Sequence, residues 1–301
     1  MSTPRPTTSV VRPPRGQENS GAALRFLESC GKLMRRGMSA ALLGAAAVLA
    51  SCSTTSTTTS PAAAPSRDVR AVGDTPDPQR RAQARLELAG LYFARGQTET
   101  ALSELNEALT AKPDMPEAFS LRGLIYASLG ETAKADESFR RALVFSPRDA
   151  DVMHNYGWFL CQEKRYDQAD AQFERAVAQP QYRDATRTLL AQGVCQARAG
   201  RWPEAERSLL RSYELDPGNP FTAYSLSEVL LQRGELDRAR FYVQRINAQP
   251  DLATAQSLWL ATRIERRLGN LGAVQDLGRQ LRERFPQSTE ALQFERGRFD
   301  G

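Results

Sequence analysis

The chain has 301 residues, of which 41% are hydrophobic and 25% charged, with a formal net charge of +5. That apolar fraction is enough for a packed core and excludes a chain that is disordered throughout. The charge excess lies entirely in residues 1–51, where seven Lys and Arg face Glu18 and Glu28; the remaining 33 basic and 33 acidic residues balance, which removes the case for a nucleic-acid-binding surface.

In chain order, Met1 to Lys32 has no helical period and no core-forming run, and reads as an N-terminal extension; Met34 or Met38 would be a suitable start for the apolar segment beyond it. Met38 to Ala50 is thirteen uncharged residues, preceded by Arg35 and Arg36 and closed by the small pair Ala50 and Ser51. A basic n-region, a short apolar h-region and a small-residue end are the parts of a signal peptide, here residues 34–51. As a helix it would cover only about 20 Å of a hydrocarbon core roughly 30 Å thick, so it reads as a removable signal rather than a membrane span.

Leu49-Ala50-Ser51-Cys52 at the end of that region resembles the bacterial lipobox. The resemblance implies that the Cys52 thiol receives a diacylglycerol, that the preceding peptide is cleaved and that the freed amine is acylated; the other reading is an ordinary small residue near a soluble-protein cleavage site. Ser53 in place of Asp implies, on the enteric lipoprotein pattern, export to the outer membrane. Several acyl chains at about 0.8 kcal/mol per buried methylene anchor a protein stably where one chain is marginal. Residues 52–80 are dominated by Ser, Thr, Ala and Pro, too poor in apolar mass to offset ordering entropy, and are expected to form a flexible tether.

From Ala82 the chain is self-similar with a period near 34 residues. The second unit shows the pattern best, with Gly123, Tyr126, Ala135, Phe139, Ala142 and Pro147. Equivalent small, large, Ala, large, Ala and Pro positions recur in six units, at about 82–115, 116–149, 150–183, 186–219, 220–253 and 255–288, the sixth most degraded, with Thr262, Val274 and Gly278. Gly96, Gly130, Gly200 and Gly234 fall where each unit should turn. This resembles the tetratricopeptide repeat (TPR). The resemblance implies an all-α, right-handed solenoid of helix-turn-helix units over residues 81–295, with a C-terminal tail at 296–301, and a concave face lined by the first helix of each unit. Small residues let helices approach, large ones fill the gap, and Pro stops the second helix. On that geometry the face carries Leu86, Phe93, Leu124 and Trp158, with Asp151, His154, Cys161, Phe221, Tyr224, Leu231, Trp259, Arg263, Arg266 and Arg267 in equivalent places. A peptide or helical partner is expected there, with Leu86, Phe93, Leu124 and Trp158 as contacts.

Cys161 and Cys195 lie on the first helices of adjacent units, 34 residues apart. In an exported protein this is the setting for a disulfide, and two buried free thiols are the other reading. His154 is the sole histidine, which excludes a His cluster for zinc, and no phosphate loop or nucleophile elbow is present. No catalytic residue, metal site, nucleic acid, small-molecule substrate or cofactor other than the covalent lipid is expected.

Asn155 to Tyr182 together with Gly193 to Trp202 resembles the PilF/PilW family of type IV pilus biogenesis lipoproteins. The resemblance implies a lipobox, six TPR units and a cysteine pair at Cys161 and Cys195. It also implies a pilotin on the periplasmic face of the outer membrane, which delivers the pilus secretin subunit and promotes its multimerisation. An envelope scaffold for peptidoglycan hydrolases is the alternative.

Overall fold

The computed structural model describes residues 77–299. The extension and signal at 1–51, the expected lipidation site Cys52 and the linker up to residue 76 lie outside the described residues, as do the last two residues of the tail. The described chain is helical, without strands.

Six helix pairs follow one another: α1 (Pro78–Ala94) and α2 (Thr98–Ala111), α3 (Pro116–Ser128) and α4 (Thr132–Phe145), α5 (Ala150–Gln162) and α6 (Tyr166–Val177). Then come α7 (Ala185–Arg198) and α8 (Trp202–Leu215), α9 (Pro220–Gln232) and α10 (Leu236–Asn247), α11 (Ala255–Arg267) and α12 (Leu271–Arg284), and a short α13 (Thr289–Glu295). The ends of the helices reflect local chemistry. Asp149 and Asn219 accept hydrogen bonds from the first free N–H groups of α5 and α9, and Thr254 forms a reciprocal capping box with Ser257. α1 begins inside the span 52–80 expected as linker, with Asp77 as its cap and Pro78 in its first turn.

Each pair is joined by the same tight turn. At the end of α3, Gly130 takes φ +73° and the Glu131 N–H donates to the Tyr126 carbonyl at 2.9 Å, so that Glu131 already begins α4. Gly96, Gly200, Gly234 and Gly269 repeat this conformation, and Lys164 adopts it in the third pair with φ 59°. Lys164 is where the glycine pattern breaks in sequence, while the backbone closes identically through Arg165 N–H to the Leu160 carbonyl.

Inside the pairs, spacing becomes packing. A methyl group on Gly123, Gly157 or Gly193 would run into Phe139, Phe173 or Leu209, each sixteen residues later and fully buried. The small residue is therefore the condition for the large one, and each buried ring or Leu contributes roughly 1.5–3 kcal/mol. Between units, the residue after the recurring Ala of units two, three and four carries an ion pair: Asp136 meets Arg165 at 2.6 Å, Asp170 meets Arg201 at 3.0 Å, and Glu206 meets both Arg233 and Arg238. Asp136 also accepts from Tyr156, so this carboxylate is mostly buried between units rather than solvated on one helix.

First helices touch the first helices of neighbouring units, whereas second helices meet the first helices on either side and make no comparable contact with one another among the described residues. The layer of first helices is thus the tighter, inner side of the stack. After the expected sixth unit at 255–288, and within the expected domain end at 295, α13 packs beside α11 and α12, where a seventh first helix would lie. Its Phe294 fills the space left by Gly278, the position held by Phe139 and Phe173 in units two and three.

Candidate partner-binding face

Two columns of side chains run along the first-helix layer. One holds Leu86, Ser120, His154, Leu190, Tyr224 and Trp259; the other holds Gly90, Leu124, Trp158, Val194, Glu228 and Arg263. The second column is therefore apolar through its first four units and ionic in its last two.

Of the expected contact residues, the structure brings Leu124 and Trp158 together. Both are half-buried against the core around Phe139, Tyr156 and Leu160, leaving part of the indole in the open, and the Arg198 guanidinium lies 5.0 Å from the Trp158 ring centre. Burial lowers the Arg198 pKa, and cation–π attraction offsets that cost. Leu86 and Phe93 belong to a separate cluster with Ala89, Leu105 and Ile125, so the four form two adjoining patches rather than one.

Other expected face residues are covered. Cys161 is not a groove residue: it is buried, and its sulfur is joined to that of Cys195, with the Cα atoms 5.8 Å apart. Leu231 is buried in the core of units four to six. Trp259 is 7% exposed because Phe299 stacks on it. His154 ties units three and four together, with Nδ1 2.9 Å from the Thr188 hydroxyl, which in turn meets the Tyr182 hydroxyl at 2.7 Å. Desolvation, assisted by the charge of Arg187, pushes the His154 pKa down to about 3, so the imidazole is neutral and serves as a strut.

At the ionic end, Tyr224 and Glu228 pair with each other. The Tyr224 hydroxyl donates to Glu228 at 3.0 Å, one turn further along the same helix. Burial raises the Glu228 pKa, while the Tyr224 hydrogen bond and the Arg263 charge work in the opposite direction. The side-chain pattern Tyr-x-x-x-Glu was visible in sequence, but its burial depends on the neighbouring unit.

The arrangement can bind a protein segment through an apolar stretch and then a polar one. Among the described residues, no helix is long and apolar enough to cross a membrane.

Comparison with known proteins agrees with this architecture. Tetratricopeptide repeat family models match residues 116–149 and 162–220, and a TPR repeat model matches residues 90–130. The type IV pilus assembly protein PilF of Pseudomonas aeruginosa is 29% identical over 212 residues, covering 70% of this chain and 84% of that protein. A solved structure of Pseudomonas aeruginosa PilF superposes with a TM-score of 0.64 at 27% identity, over 73% of this chain and 99% of that one. A crystal structure of PilW, a type IV pilus biogenesis factor, superposes with a TM-score of 0.65 at 32% identity, over 70% of this chain and 96% of that one. With its first-helix face, its unit order and its likeness to PilW over nearly the whole of that chain, this all-α TPR solenoid belongs to the PilF/PilW family of type IV pilus biogenesis proteins.

Proposed function

We propose that the protein is an outer-membrane lipoprotein that acts as a pilotin, binding the pilus secretin subunit on its first-helix face and promoting secretin localisation and multimerisation. The single observation that supports this most is the open apolar patch of Leu124 and Trp158 on the inner layer of a PilF/PilW-family solenoid. Acyl chains on Cys52 would fix the location, residues 53–76 would give reach, and the face would supply recognition. Delivery then rests on affinity combined with raised local concentration at the membrane, without catalysis, cofactor or nucleic acid.

The test replaces Cys52 by Ala and follows the protein by membrane fractionation, with the heat-stable secretin multimer followed on gels. The expected outcome is a variant that leaves the outer membrane while the multimer falls or shifts to the inner membrane. Relocation of the variant with secretin assembly and location untouched would defeat the proposal.

A further inference from the structure

Two phenyl rings from the C-terminal segment pack on unit six in different ways. Phe294 is held inside the last helix pair, in the space that Gly278 leaves by lacking a Cβ. Phe299 lies on the first-helix face: it stacks on Trp259 with ring centres 5.4 Å apart and an interplanar angle of 21°. On Phe299 the Arg266 guanidinium sits 4.0 Å from the ring centre, and Phe294 meets its edge at 5.9 Å. The chain returns to this position through a turn at Gly297, which takes φ +64°, closed by Arg298 N–H donating to the Gln293 carbonyl.

Trp259 stands in the column that also holds Leu86, His154 and Tyr224, so its aromatic face points to the layer on which a partner would lie. An aromatic ring between an indole and a guanidinium is a recognition geometry, held by ring stacking on one side and cation–π attraction on the other. Phe294 plugs a hole inside the last helix pair; Phe299 lies beyond the end of α13 and is held on the first-helix face by its ring contacts.

We propose that Trp259 and Arg266 form an aromatic-accepting subsite at the ionic end of the partner face, and that Phe299 is its built-in competitor. The occupant it takes in exchange is an extended protein segment carrying an aromatic residue followed by a carboxylate. The chain's own Phe299-Asp300 supplies the pattern for that segment, and Arg266 over the ring, with Arg263 one turn along α11 from Trp259, supplies the complementary charge. Assigning the subsite to partner binding rests on the pilotin reading; the existence of the subsite and its plug does not.

The experiment titrates the capped tripeptide Arg-Phe-Asp, at up to millimolar concentration, into the full chain and follows the Trp259 indole N–H by NMR. Phe299→Ala is expected to bind about tenfold more tightly than wild type, because the site no longer has to be vacated first. A tripeptide with Ala in place of Phe should not bind. Arg266→Ala in the Phe299→Ala background, at an exposed position that leaves the Trp259 reporter in place, should weaken binding severalfold. Equal binding by wild type and Phe299→Ala, or no binding by a folded Phe299→Ala chain, overturns the plug. If the tripeptide behaves as expected while Cys52→Ala leaves the secretin untouched, the subsite stands and the pilotin reading falls.

Discussion

The two ends of the stack are finished differently. At the start, Leu88 and Leu91 of α1 are 39% and 56% exposed, although Ile125, Phe159 and Val229, the counterparts of Leu91 in later units, are buried against the unit before them. At the other end, α13 occupies the place of a next first helix, with Ala291 1% exposed and Phe294 seated over Gly278. A repeat buries its outer face only against a neighbour, so an end is either left apolar or closed by a helix that cannot extend the array. Among the described residues, one end of this stack is closed by a helix and the other is not. The middle differs from both: its units are completed on each side and additionally joined by the Cys161–Cys195 bridge.

The largest expected effect sharpens the contrast between the middle and the ends. Replacing both Cys161 and Cys195 by Ala should cost about 3–4 kcal/mol, the chain-entropy value for a 34-residue loop. Urea unfolding without reductant measures it, and a midpoint equal to wild type would show that the bridge contributes nothing to the middle units. Next in size, Phe294→Ala should cost about 2–3 kcal/mol, because it empties a space lined by a glycine that cannot fill it. The loss should appear in hydrogen exchange as opening of α11 to α13, while Leu91→Ser at the open end should stay within about 0.5 kcal/mol of wild type. Equal losses at the two ends would break the comparison.

A pH-dependent effect separates the His154 strut from the rest of the middle. An ordinary His has a pKa near 6.5 and the folded protein holds His154 at about 3, so between these values the unfolded chain binds the extra proton and stability falls as pH falls. Between pH 7 and pH 4.5 the wild-type melting temperature should therefore drop further than that of His154→Gln, which has no proton to gain at this site. Parallel drops in the two proteins would show that the buried imidazole makes no contribution to acid sensitivity.

Much of this was legible in the sequence because the repeat is written locally. The pairing of Gly123 with Phe139 and of Gly157 with Phe173 needs only a sixteen-residue spacing and two antiparallel helices, and it marked the units. Lys164 shows the limit of reading by residue type: the turn geometry persists where the glycine is lost, since the hydrogen bonds of the helix end set the backbone. Gly278 shows another, because a degraded sixth unit in sequence is a complete one in space once Phe294 arrives from the next helix.

The amino-acid sequence by itself determined the helix pairs, their number and the side each helix buries, because those depend on contacts within one or two turns and on a spacing that recurs. Only the tertiary structure decided which first-helix residues remain available to a partner. Leu124 and Trp158 stay half-open, while Cys161 is drawn into a bridge, His154 into a strut and Trp259 beneath Phe299. The physical reason is that exposure on the inner layer is set by how closely neighbouring units approach and by which side chain the next unit, or the final turn, lays across it.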